Sequence, residues 1–424
     1  MIGEGVWDLS KGNSCRVLVA QIGARRHYAV PRALYYGGVL ERLVTDACAE
    51  VPPWKWLEKI VPATVRPLSL RRLVVRRVSD IPVGYIRGFP WFALSASWDR
   101  KHGEPQTDYW ARRNARFGRL VVKAGFGSAN TVYAFNGAAL EIFQAAKEKG
   151  LRTILDQTAA PWRWNARLLR EEVSRWPGWE DRPAEIDESG LLSDREETEW
   201  KLANRIICGS EFAKEALIDC GGPKGLCDVV PYPAPIIEEM NFSSNSRKVN
   251  NHEPFKVLFV GTLQLRKGVQ YLLKAKKLLR HKKIEFRLVG PSLLSQSAMN
   301  ELRAELDVVG SVPRTEVAKH YAWADVFVLP TLSEGSANVV YEAMAAGLPV
   351  ITTPNAGSSV RNGENGLIVP VRDAEALADA IIMLSCKEPT RLQYILKAKK
   401  INKSNSIKTY SKMLMRILLL ENKI

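Results

Sequence analysis

Long apolar runs are missing from this chain of 424 residues. No stretch approaches the ~20 consecutive apolar residues that a membrane-crossing helix requires, so nothing reads as an integral span. Cysteine is scarce: six residues, at positions 15, 48, 208, 220, 227 and 386, with no C-x-x-C pair. That scatter argues against a thiolate zinc site and against a disulfide framework, and suits reduced, buried thiols in a cytoplasmic protein. The stretch from Met1 to Ser14 holds Glu4 and Asp8 and no apolar core, unlike a secretory leader. No internal repeat is present either, which removes solenoids and propellers.

Acid is also in deficit, with 45 Asp and Glu against 61 Lys and Arg and a net charge of +16. The surplus is local. Residues 51–100 hold nine basic against three acidic residues, and residues 387–424 hold ten against two. Each segment adds apolar residues, Trp54, Trp56 and Leu70 in the first and Met413 through Leu420 in the second. Basic and apolar character together fit an anionic membrane surface, with the protein peripheral on its inner face. A solvated basic face is the equal alternative. No nucleic-acid partner is expected, because no recognised binding module accompanies the charge.

What is present is strand–helix alternation along the whole chain. Candidate strands in the first half are 16–20, 42–45, 131–135, 152–156 and 205–208. In the second half they are 256–260, 285–289, 326–329, 350–352 and 366–369. Many are continuous apolar runs, the mark of parallel strands covered on both faces. Residues 162–204, rich in Glu, Arg and Trp, read as a surface helical excursion. A polar, Pro- and Asn-rich stretch ends the first half. The expected architecture is therefore α/β: a first domain over 1–235, a linker over 236–254, a second domain over 255–395, and a basic helix over 396–424. Two doubly wound, Rossmann-like domains would face a central cleft, with ligands at the carboxyl ends of the strands.

The sharpest constellation runs from Leu329 to Glu342. Pro330 ends a buried strand, and Gly335 permits a tight turn with open backbone N–H groups. Ser336 or Asn338 is then expected to cap a helix. Such a helix start suits a phosphate, while Glu334 and Glu342 suit sugar and ribose hydroxyls. Glu342 sits among Val339, Val340, Ala343 and Met344, an apolar setting for a solvated acid.

The run from Glu334 to Glu342 resembles the Glu-x7-Glu motif of the group 1 (family 4) retaining glycosyltransferases of GT-B architecture. The resemblance covers residues 255–385, including Ala343 through Ile351, Gly357 and Asn365 through Pro370. It implies that Glu334 contacts the donor sugar, that Glu342 holds the ribose, and that Gly335, Ser336, Ala337 and Asn338 lie near the diphosphate. It also implies a basic pair beyond the first strand of that domain, within Gly261 to Gly268. Lys267 matches the lysine. Thr262 stands where the family has arginine, so Arg266 is expected to supply the second charge that stabilises the leaving diphosphate. Val312 and Pro313 fall where the nucleotide base is held, with Arg314 beside them.

On the acceptor side the resemblance points to Gly23, Arg25, Arg26 and His27 after the first strand, with His27 as a proton shuttle or a structural histidine. Asn136 and Asp156, the latter with Gln157, follow later strands. The activity implied is retaining transfer of a hexosyl group from a nucleotide-sugar to a sugar, lipid-linked or polysaccharide acceptor, in cell-surface polysaccharide biosynthesis. Neither metal nor other cofactor is expected. A sugar-nucleotide epimerase and a catalytically silent nucleotide-sugar-binding subunit remain the alternatives.

Overall fold

A computed structural model describes residues 15–60, 76–180, 183, 185–233 and 254–419. Residues 236–253 of the expected linker and much of the first basic segment thus lie outside the described residues.

Seven parallel strands form the first sheet: β1 (Val17–Gln21), β2 (Leu40–Thr45), β3 (Ile86–Gly88), β4 (Thr131–Phe135), β5 (Arg152–Gln157), β6 (Arg205–Cys208) and β7 (Cys227–Val229). Their order is β3-β2-β1-β4-β5-β6-β7. Every residue of β1 and β4 is buried, as expected of a strand flanked by neighbours and covered by helices on both faces. The helices used below are α1 (Ala29–Tyr36), α2 (Gln106–Ala124), α3 (Leu140–Glu148), α4 (Trp162–Arg175) and α5 (Leu191–Leu202).

The second sheet has six parallel strands: β8 (Phe255–Val260), β9 (Ile284–Val289), β10 (Asp307–Gly310), β11 (Val326–Leu329), β12 (Val350–Thr352) and β13 (Leu367–Ile368), in the order β10-β9-β8-β11-β12-β13. Around it lie α6 (Val269–Leu278), α7 (Arg314–Trp323), α8 (Asn338–Ala345), α9 (Ala374–Cys386) and α10 (Glu388–Ser404). The last helix, α11 (Ile407–Leu419), returns to the first domain. Tyr410, Leu414 and Leu418 join the core of that domain beside α1, and Ser411 Oγ donates to the Ala33 carbonyl at 2.6 Å. Lys408, Lys412 and Arg416 fall on the exposed face of α11.

The two orders fix where ligands can enter. In the first sheet the order reverses between β1 and β4; in the second it reverses between β8 and β11. Loops leaving the carboxyl ends of strands at such a reversal diverge to opposite faces and open a crevice. Those loops hold Gly23 to His27, Asn136 and Gly137, Gly261 to Lys267, and Pro330 to Asn338. No described helix is long and apolar enough to cross a membrane.

Residues 162–204 are not a surface excursion. Trp179 belongs to the core of the second domain, and Leu168 packs with Tyr271 and Leu332. On α5, Leu192, Glu196, Glu199 and Trp200 are all buried, as is Ala203 just past its end. The stripe has helical spacing, and two carboxylates occupy positions that would otherwise be apolar.

Candidate active site

The crevice between the domains holds a cavity of about 1080 Å³. Glu334, Gly335, Ser336 and Arg266 line it from the second domain, and Arg25, Arg26, Asn136 and Thr158 from the first. The loop after β11 and the loop after β5 touch directly. A Cβ added to Gly335 would stand 1.6 Å from the Thr158 carbonyl oxygen, so only glycine admits this approach. Ser210 Oγ donates to the Gly335 carbonyl at 2.6 Å, and Ser333 Oγ donates to Asn165 Oδ1 at 2.6 Å.

Glu334 is the hub of the second-domain side. Its Oε1 accepts from Lys267 Nζ and, at 3.2 Å, from Arg266 Nη1. Burial pushes this carboxyl up, but Lys267 and Arg266 outweigh it and hold the pKa below the ordinary value. Burial pulls the Lys267 ammonium down against the opposing pull of Glu334. Arg266 is gripped further by Glu185 at 2.6 Å and by the Ser333 carbonyl at 2.6 Å. Glu185 is a partner that the sequence did not suggest. Nearby, Glu180 accepts from the Leu265 amide at 3.0 Å, which anchors the turn carrying the two cations.

Helix α8 begins beside this cluster. Neither Ser336 nor Asn338 caps it: the cap position is Ala337, and no side chain accepts there. The Glu334 and Ala337 amides are taken by the Asn355 and Ala356 carbonyls. For Gly335 and Ser336, no backbone acceptor for the amide appears among the described residues. Two N–H groups beside two cations make a site for an oxyanion. Gly261 and Thr262 sit at the end of β8, with the Gly261 amide donating to the Val289 carbonyl.

Glu342 lies apart from the cavity, deeper along α8. Tyr321 donates to its Oε2 at 3.1 Å, and Arg314 stands 3.7 Å from Oε1. Burial raises its pKa, with Arg314 opposing. Val312 and Pro313 precede α7 close by, Val312 against the core and Pro313 exposed.

On the first-domain side, Arg26, His27 and Tyr28 adopt left-handed φ of 49°, 52° and 58°. For non-glycine residues this costs on the order of 1–3 kcal/mol each and survives only where neighbours enforce it. The enforcing contacts are visible. Tyr28 Oη donates to the Ala47 carbonyl at 3.0 Å, and Arg26 stacks 3.4 Å over the Tyr232 ring. Arg26 then reaches across the crevice to the Ser336 carbonyl at 3.2 Å and Asn338 Oδ1 at 2.8 Å. Gly23, at φ 74°, donates its amide to Asp46. His27 is half-buried and is not part of the cavity wall.

Asp156 does not face the cleft. It is fully buried, and Tyr133 and Tyr232 both donate to it. Burial raises its pKa, and no open path brings an acceptor hydroxyl to it. Asn136 does reach the cavity, held by Glu196 at 2.8 Å and by Thr158 Oγ1 at 2.8 Å.

Glu196 also accepts from Gln157 and from the Trp162 amide, and Glu199 accepts from the Gly137, Ala139 and Leu140 amides. These two acids pin the loops that form the cavity floor. Burial pushes Glu196 to about 7 and Glu199 to about 8. The unfolded chain releases these protons near the ordinary carboxyl value, so stability falls as pH rises from there through about 7 for Glu196. Glu196→Gln should remove that part of the slope, on the order of 2 kcal/mol between pH 5 and 8. Urea unfolding of both proteins at the two pH values measures it; equal slopes would refute the assignment.

Residues 254–386 match the family model "Glycosyl transferases group 1". The second domain is a group 1 glycosyltransferase domain. Among curated relatives, this chain is 29% identical over 163 residues to the amylovoran biosynthesis glycosyltransferase AmsK of Erwinia amylovora, covering 35% of this chain and 40% of AmsK. It is 36% identical over 166 residues to the D-inositol 3-phosphate glycosyltransferase of Pseudarthrobacter chlorophenolicus, covering 36% of this chain and 40% of that protein. The matches thus span about two fifths of these relatives' length. Solved structures match over nearly all of both chains. Anabaena HepE in complex with UDP and glucose aligns with TM-score 0.58 at 15% identity, covering 95% of this chain and 99% of HepE. An E. coli protein bound with UDP-2-fluoro glucose aligns with TM-score 0.62 at 13% identity, covering 95% and 98%. The group 1 domain therefore sits within a complete GT-B fold.

Proposed function

We propose that this protein is a retaining glycosyltransferase that moves a hexosyl group from a nucleotide-sugar to a sugar, lipid-linked or polysaccharide acceptor in cell-surface polysaccharide biosynthesis. One observation carries this reading: Glu334, Lys267 and Arg266 converge beside the start of α8 at the wall of the interdomain cavity. A diphosphate placed on the Gly335 and Ser336 amides would gain charge as the glycosidic bond breaks. Lys267 and Arg266 would stabilise that charge without a metal. Glu334 would then exchange its bonds to the cations for bonds to sugar hydroxyls. Arg266 supplies the second cation in place of the missing arginine at Thr262. The neighbours solved with UDP, and relatives named for amylovoran, colanic acid and teichuronic acid biosynthesis, support the donor class and the pathway class.

Departing phosphate would take the proton of the incoming hydroxyl on the same face, so no protein nucleophile is required. Asp156, enclosed by its tyrosines, holds the first-domain core and takes no proton. Ribose binding by Glu342 requires Arg314 and Tyr321 to yield their contacts. Thermal-shift titration with UDP-, GDP-, ADP- and TDP-sugars, beside Glu342→Ala, tests the site. Stabilisation by one nucleotide class that the variant loses is expected. No shift with any donor for the folded protein would sink the reading.

A further inference from the structure

The far end of the cavity is built differently from the donor end. Helix α2 turns Trp110, Arg113 and Asn114 toward it, three residues at the i, i+3 and i+4 spacing of one helical face. Trp110 meets Trp162 with ring centroids 5.6 Å apart. Wide aromatic faces in a wet crevice suit the C–H face of a pyranose, which covers the ring while its hydroxyls stay solvated.

Charge surrounds this platform. Arg113 donates to the Phe92 carbonyl at 2.9 Å and stands 3.5 Å from Asp99, but Asp99 also pairs with Arg116 at 2.6 Å. One carboxylate thus serves two guanidinium groups. Nη1 of Arg113, the atom nearest Asp99, is buried and donates no hydrogen bond among the described residues. Arg25, across the cavity, donates to the Thr158 hydroxyl at 3.2 Å, lies 5.3 Å from the Phe135 ring centroid, and forms no ion pair among the described residues. Burial lowers its pKa, and the buried Asp156 carboxylate opposes that shift only in part.

These parts are contiguous. Arg25 bonds Thr158, Thr158 bonds Asn136, and Gly137 beside it faces Asn114 and Trp162, at 3.3 and 4.0 Å from the position a Cβ would take. The donor end has its own cations in Lys267 and Arg266, so Arg25 and Arg113 remain for another ligand.

We propose that the acceptor is a saccharide bearing an anionic group, a carboxylate or a phosphate ester, with its ring on Trp110 and Trp162 and its charge between Arg25 and Arg113. The inference rests on the glycosyltransferase reading and names the acceptor class for the same cavity. Selectivity would come from the guanidinium groups, which match planar carboxylate and phosphate oxygens. A neutral sugar would add no counter-charge to the Asp99 carboxylate that Arg113 shares with Arg116 or to the buried Asp156 near Arg25.

Saturation-transfer NMR on the full chain tests it, with p-nitrophenyl β-D-glucuronide, glucose 6-phosphate and p-nitrophenyl β-D-glucoside as probes, in the presence of UDP. At least one anionic probe should bind about tenfold more tightly than the glucoside, and the two anionic arms separate uronate from phosphate. Arg113→Gln should erase the preference, Arg113→Lys should retain part of it, and Trp110→Ala should weaken all three probes while Trp110→Phe weakens them less. Unchanged melting temperatures keep these variants interpretable. Equal binding of the neutral probe, no binding of any probe, or a preference that survives Arg113→Gln would overturn the proposal. Nucleotide binding, read separately with UDP, GDP and ADP, fails only if the glycosyltransferase reading itself is wrong.

Discussion

Lys267→Ala is expected to lower kcat for sugar transfer by about 10²–10³-fold, the usual cost of deleting a group aimed at charge that develops in the transition state. The reasoning follows from the ion cluster. Lys267 and Arg266 share Glu334, so the fold itself positions both cations at the cavity wall. In the proposed mechanism an entering donor would draw the carboxylate to the sugar and the cations to the phosphates. Removing Lys267 leaves Glu334 beside the diphosphate with less compensation, a like-charge penalty on top of the lost contact. Arg266 cannot move over, because Glu185 and the Ser333 carbonyl fix it from the other side. Steady-state kinetics with the donor class found by thermal shift decides the matter. A rise in KM with kcat untouched would mean that Lys267 only binds the ground state.

Gly335→Ala is the second large effect. A methyl group there would occupy space 1.6 Å from the Thr158 oxygen, which is backbone and cannot rotate away. The second-domain loop would tolerate alanine on its own, but the domains would have to part. Parting them breaks the Ser210 bond to the Gly335 carbonyl and stretches the Arg26 bonds to Ser336 and Asn338. Misplacing reacting groups by about 1 Å costs on the order of 10²-fold in rate. The expected result is at least that loss in kcat, with nucleotide binding retained and a larger radius of gyration in small-angle scattering. Unchanged turnover would show that catalysis does not use this closed contact.

The second sheet and its motif were legible because their chemistry is local. A buried strand, a proline, a glycine turn and two glutamates eight residues apart leave a trace in one short window. The same holds for Lys267, which follows its own strand by one turn. What escaped was chemistry assembled across distance. Glu185 meets Arg266 only because α4 and the segment after it cross onto the second domain, and no periodicity near Glu185 announces that. Asp156 looked like a strand-end acid open to a cleft, yet two tyrosines from other strands and loops enclose it. Glu196 and Glu199 did leave a signal, since they fall on the same helical stripe as Leu192 and Ala203. Acids at core positions mark buried carboxylates, and a reading that weighs only apolar residues overlooks them. Trp110, Arg113 and Asn114 likewise share a face of α2, but only the fold shows that the face borders the crevice.

Helix α11 has a consequence for how this chain is made. Its Tyr410, Leu414 and Leu418 complete a core whose other members, such as Val17, Val30 and Leu34, leave the ribosome nearly four hundred residues earlier. Vectorial synthesis normally lets an early domain finish folding while the rest is still being translated. Here the early domain carries an apolar scar beside α1 throughout elongation of the second domain, and only the last helix closes it. The first domain is therefore expected to stay exposed to misassociation while the second is made, and to close by a long-range suture from α11 rather than on its own.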